Sequence, residues 1–264
     1  MIIVLPNNNL AHLARPICGF ASCCAIGEIY DEQGIARTVY VKAFPGRSRG
    51  LANEIVYWTA QRALEITSAT AAWVVLVDTA LLRARWPHVN WTEPEYACWA
   101  TQEISNSSPE VLPVTDSPLV ANELRNWPEV WSVIALHEWL ANADGNVGNY
   151  IRLGPSRYAA IDGAEIFGGQ YWKGEQLQRI GYIHNKLAHL IGAIRGHRVD
   201  PDAARQVLNA ASRHSMALLA LEQELIRWLS LLIGSADAHH AMEFLKQRIG
   251  LSKTRWLPDY TPTR

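Results

Sequence analysis

The chain has 264 residues, 49% apolar and 19% charged, the profile of a folded protein with a sizeable core. Its formal net charge is −1 with no block of like charges, which argues against a broad basic face for nucleic acid or an anionic membrane. No apolar run reaches membrane-span length, and Met1-Ile2-Ile3-Val4-Leu5-Pro6 lacks the basic residues and long apolar core of a signal peptide.

Strands come first and helices later. Ala21–Tyr30 and Ala36–Phe44 read as strands around the polar turn Asp31-Glu32-Gln33-Gly34. Alternation in the second puts Thr38, Tyr40 and Lys42 on one face and Val39, Val41 and Ala43 on the other. After Pro45-Gly46-Arg47-Ser48-Arg49-Gly50 a helix is predicted over Leu51–Ile66, with Ala52, Ile55, Val56, Thr59, Ala63 and Ile66 as its stripe. Trp73–Val77 reads as a buried strand. Residues 83–113 read as a connection containing a strand at Ala97–Ile104.

Ser117 and Pro118 read as the cap and first-turn proline of a helix ending at Arg125. Glu129–Leu140 is apolar nearly all round and predicts a buried helix. Tyr150–Leu153 and Tyr158–Ile161 read as a hairpin about Gly154-Pro155-Ser156-Arg157. From Glu175 onward helices are predicted, with stripes at Leu177–Ile194, Ala203–Ala211 and Met216–Ile233. A last helix from Ser235 to Gly250 and a tail follow.

Cys18, Cys23, Cys24 and Cys98 lack metal-finger spacing, so free thiols in a reducing, cytoplasmic compartment are expected. The adjacent His239 and His240 cannot share one metal on one helix face. There is no Gly-x-Ser-x-Gly or Gly-x-Gly-x-x-Gly run. The eleven tryptophans can fill a core or line grooves; Trp127, Trp131 and Trp139 read as packing.

The segment Asn142-Ala143-Asp144-Gly145-Asn146-Val147-Gly148-Asn149 is the most informative. Taken alone it could be a turn built from turn-forming residues. It follows the buried helix, however, and Asp162 stands thirteen residues after Asn149 at the far end of the predicted hairpin. Antiparallel partners face each other across about 5 Å, so Asn149 and Asp162 should converge. Mg²⁺-dependent phosphoryl transfer needs a carboxylate to orient a hydroxyl and oxygen ligands for the metal. Lys42 lies midway along an otherwise apolar strand, and Glu54 twelve residues later in the first turn of a helix. Each could be a solvated surface charge. Together they make a strand-lysine to helix-glutamate pair that holds the lysine against nucleotide phosphates.

Tyr40-Val41-Lys42, then Gly46 through Glu54, then Asn142-Ala143-Asp144 through Gly148-Asn149, then Ala160-Ile161-Asp162 resemble the HipA-like kinase family. That family is distantly related to protein kinases and phosphatidylinositol kinases. The resemblance runs from about Ala21 to Asp162. It implies an α+β, two-lobed protein-kinase-like fold, with a small β-rich lobe over 1–100 and a larger helical lobe over 101–264. ATP and Mg²⁺ are then expected in the cleft. Lys42 would contact the α- and β-phosphates and pair with Glu54. Asp144 would accept or orient the hydroxyl proton, and Asn149 and Asp162 would hold Mg²⁺. The implied reaction is γ-phosphoryl transfer to a hydroxyl, here a protein Ser or Thr. A small-molecule phosphotransferase of the aminoglycoside-kinase type would use the same core, as would an inactive kinase fold acting as a binding module.

The sequence departs from the family in three places. Gly145-Asn146 stand where the family commonly has Arg-His. No aromatic residue follows Asp162. No Gly-rich phosphate loop precedes Lys42; Cys18-Gly19-Phe20-Ala21-Ser22, or Arg47, Ser48 and Arg49 with Gly50, would have to serve.

Overall fold

The computed structural model describes residues 2–17, 23–104, 110–111 and 118–257. The Cys18–Ser22 alternative for a phosphate loop and the Ser117 cap lie outside them. The chain forms two compact units, Met1–Leu51 with Ala69–Ser105 and Ala52–Ser68 with Asn106–Arg264. The first is β-rich and the second largely helical. Among the described residues no helix is long and apolar enough to cross a membrane.

The first unit is a six-stranded sheet of β1 (Ile3–Leu5), β2 (Leu10–Ile17), β3 (Cys23–Tyr30), β4 (Ala36–Ala43), β5 (Ala72–Asp78) and β6 (Glu95–Gln102). Its order is β1-β5-β6-β4-β3-β2, antiparallel except for the β1–β5 pair. Asp31 closes the β3–β4 turn: Oδ1 accepts the amides of Gln33 and Ile35, and Oδ2 accepts Arg37 Nε at 2.9 Å. Gly34 supplies the left-handed residue there, with φ 74°. The alternation expected in β4 holds, since Val39, Val41 and Ala43 are fully buried while Thr38, Tyr40 and Lys42 are not. These apolar residues pack with Leu13, Val75, Cys98, Trp86 and Trp91 in one core.

Two features of this unit differ from the sequence reading. β1 and β2 were not foreseen, because the β2 sequence mixes His12, Arg15 and Pro16 among its apolar residues and, of those described, buries only Leu13 fully. Its proline is tolerated because β2 is an edge strand. The 83–113 stretch is more than connection. Helix α2 (Thr79–Arg85), capped by Asp78 Oδ1 accepting the Ala80 amide, runs into it, and β6 lies inside the sheet between β4 and β5. β6 is the strand expected at Ala97–Ile104, starting and ending two residues earlier, and it buries Cys98, Trp99 and Ala100 on successive faces.

The second unit contains most of α1 (Gly50–Ala63), then α3 (Pro118–Arg125), α4 (Val130–Leu140) and a three-stranded sheet. Its strands are β7 (Glu110–Val111), β8 (Tyr150–Gly154) and β9 (Arg157–Ala160), in that order. After these come α5 (Gly174–Leu177), α6 (Lys186–Leu190), the short pair β10 (Ile194–Arg195) and β11 (Arg198–Val199), α7 (Pro201–Ala211), α8 (His214–Ile233) and α9 (Ser235–Thr254). α4 is the central post of this core, buried from Val133 to Leu140. Trp127 and Trp139 are buried in it and Trp131 packs against it, as the packing reading expected.

Of the helix expected over Leu177–Ile194 only Leu177, the last residue of α5, and the five residues of α6 are helical. The backbone between them turns its carbonyls to two arginines: Arg248 Nη1 donates to Gly181 O at 2.7 Å and Arg255 Nη1 to Ile183 O at 2.6 Å. These bonds tie the 181–183 backbone to side chains of α9 and its C-terminal cap. Asn185 then restarts the helix as its cap. α9 also runs to Thr254, past the end expected at Gly250.

His214 at the start of α8 is fully buried and stacks on Trp139, with ring centroids 4.6 Å apart. Among the described residues neither of its ring nitrogens has a hydrogen-bond partner. Burial pushes its pKa down to about 3, and the nearby charges of Lys253 and Arg213 add to this. The folded state thus binds fewer protons than the unfolded state once pH falls below the ordinary histidine value near 6.5. Stability is full above that pH and is lost as pH falls from about 6.5 toward 3, by about 1.4 kcal/mol per pH unit for this one group. Denaturant midpoints measured from pH 7.5 to 4.5 should show the slope, and His214→Phe should lessen it, leaving the part due to buried His137. An unchanged slope in that variant would contradict the assignment.

Candidate active site

α4 ends where Ala141 takes a left-handed conformation, φ 53°, and the chain enters the Asp144 loop. Three asparagines build the loop with their side chains. Asn142 Oδ1 accepts the Asp144 amide at 2.9 Å, and Asn146 Oδ1 accepts the Gly148 amide at 2.9 Å. Asn149 Nδ2 donates to the Asp144 carbonyl at 2.6 Å. A single 3₁₀ turn, Val147–Asn149, then feeds β8. Turn-forming residues therefore do make the turn, and the turn places Asp144 half-exposed above α4.

The hairpin brings the other two oxygen residues to the same end. Tyr150 pairs with Ala160, and the Ile161 amide donates to Asn149 O at 2.9 Å. Asp162 follows at once, in the left-handed region at φ 64°, a costly conformation for a residue other than glycine. Because Asn149 gives its NH₂ group to Asp144, its Oδ1 is turned away from that bond. The hairpin thus sets Asn149, bonded to Asp144, beside Ile161, the residue before Asp162.

The N-terminal part of α1 holds the backbone after Asp162. Buried Glu54 accepts the Gly163 amide through Oε2 at 3.0 Å. Asn53, fully buried, donates Nδ2 to Ala164 O at 2.6 Å and Gly169 O at 3.0 Å, and accepts Trp172 Nε1 at 3.0 Å. Sequence reasoning missed Asn53 altogether. Its signal was a polar neighbour to Glu54 within an apolar helix.

Beneath both loops lies a buried aromatic pair that was also missed. Tyr57 Oη and His137 Nε2 are 3.2 Å apart with their rings stacked. Burial pushes the His137 pKa down to about 4, with the Asp144 charge opposing, so the ring is neutral at pH 7. The signal in the sequence was His137-Glu138 set in the middle of an apolar helix. The pair explains the departures at Gly145 and Gly163. A Cβ at 145 would come within 2.4 Å of the His137 ring, and one at 163 within 2.2 Å of Tyr57 Cβ. The Tyr150 hydroxyl completes the packing by donating to Gly145 O at 3.2 Å.

Asp144 has a cationic neighbour that the sequence did not announce. Lys186 Nζ at the start of α6 lies 2.8 Å from Asp144 Oδ1. Both side chains are partly exposed, 43% and 39%.

In the first unit, Lys42 is half-buried on β4, opposite Cys24 of β3 and Trp99 of β6. The turn after β4 leaves Arg47 exposed and Arg49 half-buried. Gly46 sits there with φ 66°. Ser48 Oγ accepts the Gly50 amide at 3.1 Å and so acts at the start of α1.

Among the described residues no group of three or more His, Cys, Asp and Glu side chains could hold a metal ion. A pair of one carboxylate and one carboxamide falls outside such a group.

No protein-family model and no curated protein matches the sequence. Solved structures do. The crystal structure of the Helicobacter pylori proinflammatory kinase CtkA aligns with a TM-score of 0.56 at 11% identity, covering 94% of this chain and 97% of that one. The FAT and kinase domain of CtTel1 aligns with a TM-score of 0.39 at 11% identity, over 94% of this chain and 21% of that one. The first likeness gives the fold: an α+β, two-lobed protein-kinase-like fold with a small β-rich lobe and a larger helical lobe.

Proposed function

We propose that the protein is an ATP- and Mg²⁺-dependent kinase of the HipA-like type that transfers the γ-phosphoryl group to a hydroxyl, a Ser or Thr of a protein. The observation that supports the reading is the end of the β8–β9 hairpin, where Asn149 bonds the Asp144 carbonyl and pairs with Ile161, the neighbour of Asp162. Asp144 orients the acceptor hydroxyl and takes up its proton. Asn149 and Asp162 fit a hard cation by the chemistry of their donors, a carboxamide oxygen and a carboxylate. They would hold Mg²⁺, which neutralises charge on the nucleotide phosphates when bound.

Lys42 is assigned to the α- and β-phosphates, with Arg47 and Arg49 as supporting cations. Glu54 has a second task beyond that expected for it, since it fixes the Gly163 amide and hence the chain beside Asp162. The division of labour follows the two lobes, with the nucleotide sheet near 1–100 and the catalytic loop and metal pair within 101–264.

Asp162→Ala tests the metal assignment. Mg²⁺ with ATP should raise the melting temperature of the wild-type protein and fail to raise that of the variant, whose own melting point should stay close to wild type. An equal ligand-induced shift in both proteins would remove Asp162 from the metal site. The activity itself is read by γ-labelled ATP, with label transferred to protein or to small amines separating the acceptor classes. Binding of Mg-ATP with no turnover would instead favour a binding module.

A further inference from the structure

The Asp144 loop supplies no positive charge of its own, since Gly145 and Asn146 follow the aspartate and His137 leaves no room for a side chain at 145. Charge builds on the transferring phosphoryl group in such a reaction, and a site without a cation there is incomplete. The fold brings one from elsewhere. Lys186 Nζ donates to Asp144 Oδ1 at 2.8 Å across 42 residues of sequence.

The placement of that lysine is built. Asn185, fully buried, caps α6 by accepting the Ala188 amide at 3.1 Å and donates Nδ2 to Ile134 O of α4 at 3.1 Å. α4 is the helix that leads into the Asp144 loop, so Lys186 and Asp144 are referenced to one post. Leu187 and Ala188 are buried behind it. Stability gives little reason for a lysine here. A cation in the first turn opposes the helix dipole, and a pair this exposed contributes little to folding. Asn146 Nδ2 and Lys186 Nζ both bond Oδ1; among the described residues Oδ2 accepts nothing, which leaves it for a proton.

We propose that Lys186 is a catalytic residue of the phosphoryl transfer, its ammonium group stabilising charge on the γ-phosphoryl as it moves to the acceptor. This rests on the kinase reading of Asp144. In the step, the acceptor oxygen forms a bond to Pγ while the bond from Pγ to the β,γ-bridging oxygen breaks, its electron pair passing to the β-phosphate of ADP. The hydroxyl proton goes to Asp144 Oδ2. Lys186 keeps its proton throughout and acts by charge alone. An acceptor oxygen within hydrogen-bond reach of Oδ2 receives the phosphoryl group within a few ångströms of Nζ, a distance set by the 2.8 Å bond.

The test uses the full chain with Lys186→Met and Lys186→Arg, γ-labelled Mg-ATP, and the protein itself and casein as acceptors. Lys186→Met should lower kcat by about 10² while KM for ATP and the melting temperature stay near wild type. Lys186→Arg should restore at least a tenth of the rate. If the wild type turns over and Lys186→Met matches or exceeds it, the lysine is a surface partner or an obstruction and the inference is overturned alone. If the wild type binds Mg-ATP but transfers no label to either acceptor and hydrolyses none to water, the kinase reading fails and this inference falls with it.

Discussion

Replacing Asp144 by Asn is expected to remove phosphoryl transfer by a factor of about 10² to 10⁴ while leaving nucleotide affinity nearly unchanged. The substitution keeps the size of the side chain and its ability to bond Lys186 or Asn146 through the remaining oxygen. It removes the charge and the capacity to accept the hydroxyl proton. The loop should persist, because its framework lies elsewhere: Asn142 holds the backbone amide of residue 144, and Asn149 holds its carbonyl. Neither bond uses the 144 side chain. The expected signature is therefore a fall in kcat with an intact Mg-ATP melting shift. Equal losses of binding and rate would mean that Asp144 acts on the nucleotide and that the base has been misassigned.

Arg248→Met is expected to destabilise the protein by about 3 to 5 kcal/mol, the effect of breaking a buried charged network by removing one partner. Arg248 is 1% exposed and reaches two backbone regions, 138–139 and 180–181. Nε donates to Glu138 O at 2.9 Å and Trp139 O at 3.1 Å, Nη1 to Gly181 O at 2.7 Å, and Nη2 to Glu138 O. Burial lowers its pKa to about 10, with the Glu138 charge opposing. Glu138 is itself fully buried and its pKa is raised by burial, against the pull of Arg255 and Arg248. Methionine would fill the space and donate nothing, leaving buried carbonyls without a partner and Glu138 with Arg255 as its cation. Denaturant unfolding checks the magnitude. A loss below about 1 kcal/mol would show that the carbonyls find other donors or water.

What could be read in advance was local. β4 is legible because its core face is strictly apolar, so period alone assigns it. The Asp144 loop is legible because its asparagines bond within five residues of themselves, and short-range bonds leave their mark in residue type. The hairpin then set Asn149 beside Ile161, the residue before Asp162. Contacts between distant residues left no such mark. Glu54 meets Gly163 across 109 residues, Arg248 meets Glu138 across 110, and Lys186 meets Asp144 across 42. Each side chain looks like an ordinary surface charge in sequence. The misread helix at Leu177–Ile194 has the same origin. Its apolar spacing satisfies a helical period, while the carbonyls at 181 and 183 are engaged by arginines near the other end of the chain.

The grip of Asn53 and Glu54 has a mechanical consequence. The chain from Gly163 to Gly169 contains three glycines and only one 3₁₀ turn, so it has little regular structure to stiffen it. Its position is borrowed from the N-terminal part of α1, through the bonds to Gly163, Ala164, Ile166 and Gly169. α1 is thereby the lever of this segment, and Asp162 stands at the lever's near end. A tilt of that part of the helix cannot occur without dragging the backbone beside Asp162, so whatever steadies α1 also steadies the carboxylate.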